Sequence, residues 1–294
     1  MKIAVIGAGA WGRALHFAIS QNFTCKITSR KKRDIEDFVT LKEALKCEYL
    51  VFALSSQSLS EWLKKNFRYS NQKILVAMKG IDRKSGKFLN EIFEEYVPKS
   101  SIAFLSGPSF ASEVKKSLPT AVVINSANEE LSKEYAKIFP SFMKAYISQD
   151  IIGAEVAGAY KNVLAIASGI CSGLELGNNA RASLISRGLV EMARFGKFFG
   201  AKDETFLGLS GAGDLFLSAS SELSRNYRVG LGLAKERSLE DILNDLGEVA
   251  EGVFTTEAII SLSKKHNIYT PIANEVYEVL QGKNPTESLK DLLK

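Results

Sequence analysis

The stretch KIAVIGAGAWG, residues 2–12, decides the fold. Ile3 to Ile6 form a short apolar run of the kind that makes a buried strand. Gly7-Ala8-Gly9-Ala10-Trp11-Gly12 then has the G-x-G-x-x-G spacing of the turn joining the first strand to the first helix of a dinucleotide-binding fold. Gly7 permits the sharp exit from the strand. Gly9 lets backbone approach a pyrophosphate with no Cβ in the way, and Gly12 lets the helix lie close to the strand. The helix N-terminus offers unpaired N–H groups and a positive dipole end to phosphates. The bland alternative is a glycine turn with no ligand. The apolar strand before the motif and the helix-forming residues after it (Arg13, Ala14, Leu15, Phe17, Ala18) favour the dinucleotide reading.

The chain has 294 residues, enough for two domains. Its 46% hydrophobic and 24% charged content is that of an ordinary globular protein. No apolar run approaches the roughly 20 residues of a membrane span, and with the first strand starting at residue 2 no leader segment is expected. No membrane insertion and a cytoplasmic location are therefore expected. Cys25, Cys47 and Cys171 have neither metal nor redox spacing, so no metal is expected, and scattered thiols suit a reducing compartment. The net charge of +5 attracts anionic small molecules. The basic residues are dispersed and form no aromatic–basic stripe, which argues against a nucleic-acid partner.

Up to about residue 147, apolar and β-branched runs alternate with helical stretches. The strand runs are Ile3–Ile6, Cys25–Ser29, Tyr49–Leu54, Ile74–Ala77, Ile102–Leu105, Ala121–Ile124 and Lys144–Ile147. Capping-box spacings at Thr40/Glu43, Ser58/Glu61 and Ser126/Glu129 open helices between them. This alternation predicts an α/β Rossmann-type domain over residues 1–148, with a mostly parallel, doubly wound sheet. From residue 149 to 294 strand signals vanish. An all-α, substrate-binding domain is expected, with helices over Ala154–Ile170, Ser183–Phe199, Tyr227–Ala234, Leu239–Leu246 (opened by Ser238/Asp241), Thr255–Lys265 and Pro271–Gln281.

A nicotinamide enzyme needs a proton donor or acceptor beside the reacting carbon. His16 lies inside the first helix and His266 in a surface-like basic run, so lysine is the leading residue type. Lys161 interrupts the small-residue helix Val156–Ala165. Apolar neighbours desolvate it and draw its pKa toward the range of a general base. The alternative, a solvated helix stripe, is disfavoured by the few polar companions in the adjoining turns. Asn162 beside it can hydrogen-bond an oxygen. The glycine-rich GLSGAGD, residues 208–214, ends in Asp214. That aspartate either caps the next segment or accepts from a substrate hydroxyl or orients a lysine. Ser224, Arg225 and Asn226 combine a hydroxyl, a guanidinium fork and an amide, a set that matches a phosphate; a surface helix end is the alternative. Lys79 and the Gly107-Pro108-Ser109 turn follow strands at their carboxyl ends, where such sheets bind ligands. Pro108 is placed to start a helix and leave backbone N–H groups near Ser109 and Ala111 available. For both, an ordinary exposed turn is the alternative.

Taken together, these segments resemble the bacterial NAD(P)-dependent glycerol-3-phosphate dehydrogenases. The matching pieces are GAGAWG (7–12), MKGI (78–81), SGPSFA (106–111), KNVLAIASGI (161–170), RASLISRGLVE (181–191), GLSGAGDLFLS (208–218), SRNYRVG (224–230) and VAEGV (249–253). They occur in the family's order. The resemblance implies reversible reduction of dihydroxyacetone phosphate to sn-glycerol 3-phosphate, a phosphorylated small-molecule substrate, supply of glycerophospholipid synthesis, NAD or NADP as cofactor, and a homodimer. It places the proton-transfer lysine at Lys161. The substrate side comprises Lys79, Gly107, Ser109, Asn162, Asp214, Ser218, Ser224, Arg225 and Asn226. The cofactor side comprises Gly7, Gly9, Ala10, Trp11, Gly12, Arg30, Arg33, Ala111, Val249 and Glu251, with Lys79 and Arg225 near both. Ser218 departs from the family's threonine and keeps the hydroxyl. The link Lys31–Glu48 is shorter than in relatives, which touches the adenosine end of the site.

The second strand ends Ser29-Arg30-Lys31-Lys32-Arg33, with no acid before Asp34. NAD enzymes place an acid there for the ribose hydroxyls; a basic cluster suits the extra phosphate of NADP, with NAD also used. Two rivals remain: a two-domain dehydrogenase of the hydroxyacid type, which needs no phosphate-binding triplet, and a non-catalytic dinucleotide sensor, which needs no proton-donating lysine.

Overall fold

The computed structural model describes residues 1–247 and 249–292. The chain divides into two units: Met1–Met78 with Leu89–Ala154, and Lys79–Phe88 with Glu155–Lys294. Sequence reading draws one boundary after residue 148; the structure adds the ten-residue excursion from Lys79 to Phe88 to the second unit.

The first unit is built on seven strands, β1 (Ile3–Ile6), β2 (Cys25–Thr28), β3 (Tyr49–Phe52), β4 (Lys73–Val76), β5 (Ile102–Ser106), β6 (Thr120–Asn125) and β7 (Met143–Ser148). They form one sheet in the order β2-β1-β3-β4-β5-β6-β7. Every pairing is parallel except β5 with β6. The reason for the central apolar runs is visible in the packing. Ile3, Val5, Ile27, Val51 and Leu75 enter one core. Ala4, Ile6, Leu50, Phe52, Ile74 and Val76 enter another. Alternate residues thus bury on opposite faces of a sheet covered on both sides. The chain passes from β1 to β2 on one side and returns to β3 on the other, so strand order reverses at the end of β1, which is the ligand-binding switch point of such sheets.

Helices of this unit are α1 (Ala10–Ser20), α2 (Leu41–Ala44), α3 (Leu59–Asn66), α4 (Leu89–Glu94), α5 (Ala111–Val114) and α6 (Glu129–Ala136). The Thr40/Glu43 capping box forms as expected. The other two spacings serve different ends. Ser58 holds the N-cap position of α3, but its hydroxyl donates to the Ser55 carbonyl and makes no cap bond. Ser126 donates to the Ile102 carbonyl, and Asn128 caps α6 instead. Pro108 does not begin a helix either; α5 starts at Ala111 after Phe110. In the β2–β3 link, residues 37–39 run alongside β2 through Ile27 N–H to Asp37 O and Val39 N–H to Ile27 O.

The second unit contains most of α7 (Ile151–Gly173), followed by α8 (Gly177–Phe198), α9 (Asp203–Leu207), α10 (Asp214–Ala219), α11 (Arg225–Ala234), α12 (Leu239–Leu246), α13 (Glu251–His266), α14 (Pro271–Leu280) and α15 (Pro285–Leu292). The small residues of α7 allow backbone-to-backbone contact: a Cβ on Gly169 would strike the Tyr227 carbonyl of α11, and one on Gly230 would strike the Ile166 carbonyl. Glu191 of α8 ties α14 in place by accepting from the Ile272 and Ala273 N–H groups and from Tyr160 of α7. The Lys79–Phe88 segment is fastened to these helices by Phe88 against Phe199 (5.1 Å), Arg83 with Glu257 (3.3 Å) and Gly86 beside Leu262.

The glycines of the first turn differ in what they permit. Gly7 has φ of +117°, a conformation L side chains rarely adopt, and a Cβ there would meet the Ala53 carbonyl. A Cβ on Gly12 would run into the Gly7 carbonyl, whereas one on Gly9 would meet nothing within 4 Å. Gly12→Ala is therefore expected to cost about 1–3 kcal/mol through overpacking and to lower the melting temperature. Gly9→Ala is expected to change stability by less than about 1 kcal/mol. Thermal denaturation followed by circular dichroism checks the contrast.

Candidate active site

Three charged side chains converge within the second unit. Asp214 opens α10 directly after a π-helical turn, Leu209–Gly213, which the glycine-rich sequence makes possible: a Cβ on Gly211 would overlap the Phe206 backbone. The aspartate is not an N-cap, since Gly213 occupies that position. Its carboxylate instead takes two ammonium groups. Oδ1 accepts from Lys161 Nζ at 2.5 Å and Oδ2 from Lys79 Nζ at 2.5 Å. Lys161 also donates to Ser218 Oγ at 2.8 Å, one turn further along α10. The Asp214 side chain is 2% exposed, that of Lys161 11%, and that of Lys79 23%, so the triad is graded from buried to solvent-facing. Lys79 reaches it by lying over Gly158 of α7, where a Cβ would sit 3.1 Å from its Cγ.

These contacts decide the protonation chemistry. Burial lowers the Lys161 pKa, Asp214 raises it and Lys79 lowers it again; burial prevails and the group is brought down to about 8. For Asp214 burial acts upward, but the two lysines together outweigh it and hold the carboxyl below its usual range. The result is an aspartate ionised at neutral pH and a lysine that changes form near pH 8.

Beside the triad runs a chain of amides. Asn162 donates through Nδ2 to the Gly158 carbonyl and accepts at Oδ1 from Asn226 Nδ2 (2.9 Å). Asn226 accepts at Oδ1 from the Gly252 N–H (3.0 Å). Ser224 caps α11, its Oγ accepting from Tyr227 N–H, and Arg225 is the first residue of that helix. The Ser224-Arg225-Asn226 triplet thus sits at a helix N-terminus, where dipole and guanidinium have the same sign. Val249 is exposed and Glu251 opens α13 in the same unit.

The remaining predicted positions belong to the first unit. Gly9 caps α1 with no side-chain cap bond and no acid in the first turn, and Ala10 and Trp11 open the helix. This N-terminus, with open space over Gly9, fits a dinucleotide pyrophosphate. Arg30 and Arg33 lie exposed beyond β2. Gly107, with φ of +98°, ends the β5 turn, where Ser109 Oγ donates to its carbonyl; Ala111 begins α5. Sequence reasoning did not single out Gly158 or Gly252. Their roles depend on a lysine and an amide distant in sequence, and a glycine within a helix gives no local sign of either. A cavity of about 630 Å³ lined by Arg187, Ser263, Lys264, Asn267, Tyr269 and Asn274 contains none of the predicted site residues. Among the described residues no cluster suits a metal ion and no helix is long and apolar enough to cross a membrane.

Comparison with known proteins agrees over the whole chain. Residues 30–132 match the family model of the NAD-dependent glycerol-3-phosphate dehydrogenase N-terminus and residues 150–291 that of its C-terminus. A glycerol-3-phosphate dehydrogenase (NAD(P)+) of Sulfurimonas denitrificans is 64% identical over 292 residues, covering 99% of each chain. One of Nitratiruptor is 62% identical over 293 residues, covering 100% of this chain and 98% of the relative. The crystal structure of a glycerol-3-phosphate dehydrogenase from Coxiella burnetii superposes with a TM-score of 0.91 at 31% identity, covering 100% of this chain and 98% of that one. With both family models matched in order and relatives aligned end to end, the chain belongs to the NAD-dependent glycerol-3-phosphate dehydrogenase family.

Proposed function

We propose that this chain is an oxidoreductase that reversibly reduces dihydroxyacetone phosphate to sn-glycerol 3-phosphate with NADH or NADPH, and that Lys161 carries the proton. The observation that supports Lys161 above all is its setting: a buried lysine with a pKa near 8, held by a carboxylate and a hydroxyl. Asp214 and Ser218 take two of its three N–H donors, and the third is left for a substrate oxygen. When bound, the nicotinamide supplies the hydride that reduces C2. Protonated Lys161 gives its proton to the oxygen as it becomes an alkoxide and, in the reverse direction, neutral Lys161 takes the proton back. Lys79 adds a second positive charge beside that oxygen, and Asp214 fixes both ammonium groups. Ser224, Arg225 and Asn226 hold the phosphate, and this binding energy positions the carbonyl. The exposed Arg30 and Arg33 suit the extra phosphate of NADP. A cytoplasmic homodimer that supplies phospholipid synthesis fits this reading.

Oxidation of NADH or NADPH is expected with dihydroxyacetone phosphate and not with unphosphorylated dihydroxyacetone. Cofactor binding without turnover would favour the sensor, and indifference to the phosphate the hydroxyacid-type enzyme. Lys161→Ala is expected to lower kcat by about 10²–10⁴-fold; near-wild-type turnover would rule out the role. Reduction uses the protonated lysine, so kcat/KM in that direction should fall as pH rises through about 8, while in the oxidation direction it should rise over the same interval. Arg30→Ala combined with Arg33→Ala should raise the KM for NADPH by about tenfold or more, and leave that for NADH little changed.

A further inference from the structure

The amide chain beside the triad has a direction. Its first member, the Gly252 N–H, can only donate, and its last, the Gly158 carbonyl, can only accept. The two asparagines between them must therefore both point the same way. Asn226 turns its oxygen to Gly252 and its NH₂ to Asn162, and Asn162 turns its oxygen to Asn226 and its NH₂ to Gly158. One N–H of Asn226 is used in the chain, and the amide carries a second N–H able to donate. If Asn226 turned over, two NH₂ or N–H groups would face each other at Gly252 and two oxygens at Asn162.

Gly252 is matched to this task. It is the second residue of α13, in the turn whose N–H groups have no partner within their own helix. The N-cap residue is Ala250, whose side chain accepts nothing, so Asn226 supplies the missing acceptor from α11. The approach leaves no room for a side chain. A Cβ at residue 252 would lie 2.6 Å from Asn226 Oδ1 and 2.9 Å from the Asn162 carbonyl.

We propose that Gly252 is a positioning residue for the substrate phosphate: its N–H, and its lack of a side chain, fix the Asn226 amide so that an N–H donor is presented to the anion. This rests on the reading of Ser224-Arg225-Asn226 as the phosphate-binding triplet. A neutral, correctly turned amide distinguishes a phosphate from its absence, so the effect belongs in the KM of the phosphorylated substrate.

The test compares Gly252→Ala, Asn226→Ala and the double variant with the wild type. For each, KM and kcat are measured with dihydroxyacetone phosphate, KM with NADH, and folding by thermal melting. Gly252→Ala is expected to raise the KM for dihydroxyacetone phosphate about tenfold or more while the KM for NADH changes less than about twofold. Because Gly252 acts through Asn226, the double variant should match Asn226→Ala alone. If Gly252→Ala fails to fold, because the new Cβ also meets the Asn162 carbonyl, the Gly252 amide resonance of the wild-type protein carries the test: it is expected to shift when dihydroxyacetone phosphate binds and to stay in place with NADH alone. A folded Gly252→Ala with wild-type KM, losses that add in the double variant, or a Gly252 amide resonance that ignores dihydroxyacetone phosphate would each overturn the proposal. Wild-type protein that ignores the phosphate would overturn the underlying reading instead.

Discussion

The second unit is organised around one carboxylate. Asp214 is almost fully buried, and a buried carboxylate is stable only when its charge is met. Two lysines meet it, one on each oxygen, and they come from separate parts of the chain. Lys161 projects from the long helix α7, and Lys79 from a segment interposed between the strands β4 and β5 of the other unit. The surrounding fold brings both to that place. While Lys161 is protonated, two cations stand against one anion in a largely buried setting, which suits an oxygen that becomes negative during reaction. The same arrangement explains why Lys161 loses its proton more readily than a free lysine: burial and the neighbouring Lys79 oppose its charge, and together they outweigh Asp214.

Close backbone approach is what makes this geometry possible, and glycine supplies it. Gly169 and Gly230 let α7 and α11 touch, bringing Asn162 within hydrogen-bond range of Asn226. Gly158 makes room for the stem of Lys79, and Gly211 for the π-helical turn that delivers Asp214. In the first unit the same economy operates at Gly7 and Gly12, where a missing Cβ allows the helix to stand directly on the turn. Gly9 is different, because the space in front of it is open; its lack of a side chain matters to a ligand and not to packing.

Much of this was legible beforehand. The apolar runs located all seven strands within a residue or two at each end; the central strands, buried on both faces, leave a continuous signature, and the largely exposed edge strand β7 still carries an apolar run. Thr40/Glu43 and Ser238/Asp241 marked true helix starts. Ser58 marked the start of α3 without making the cap bond, and Ser126 lies two residues before the true cap of α6; each hydroxyl donates to another carbonyl instead, and spacing alone does not show which partner is nearer. Lys161 stood out as a lone charge in an apolar helix, and Asp214 as the end of a glycine-rich loop. Their pairing did not, nor did the outcome of the contest between burial and Asp214 over the lysine's pKa.

Local chemistry by itself determined the strand–turn–helix of the first unit, the change to helices after it, and the residue types able to hold a phosphate or move a proton, because each of these depends on neighbours a few residues apart. The tertiary structure alone decided that Lys79 joins the second unit, that Asp214 serves two lysines rather than a helix end, and that the Asn226 amide has one orientation. Those outcomes depend on desolvation and on hydrogen-bond partners separated by 26 residues for Asn226 and Gly252 and by 135 for Lys79 and Asp214, distances over which sequence pattern carries no information about contact.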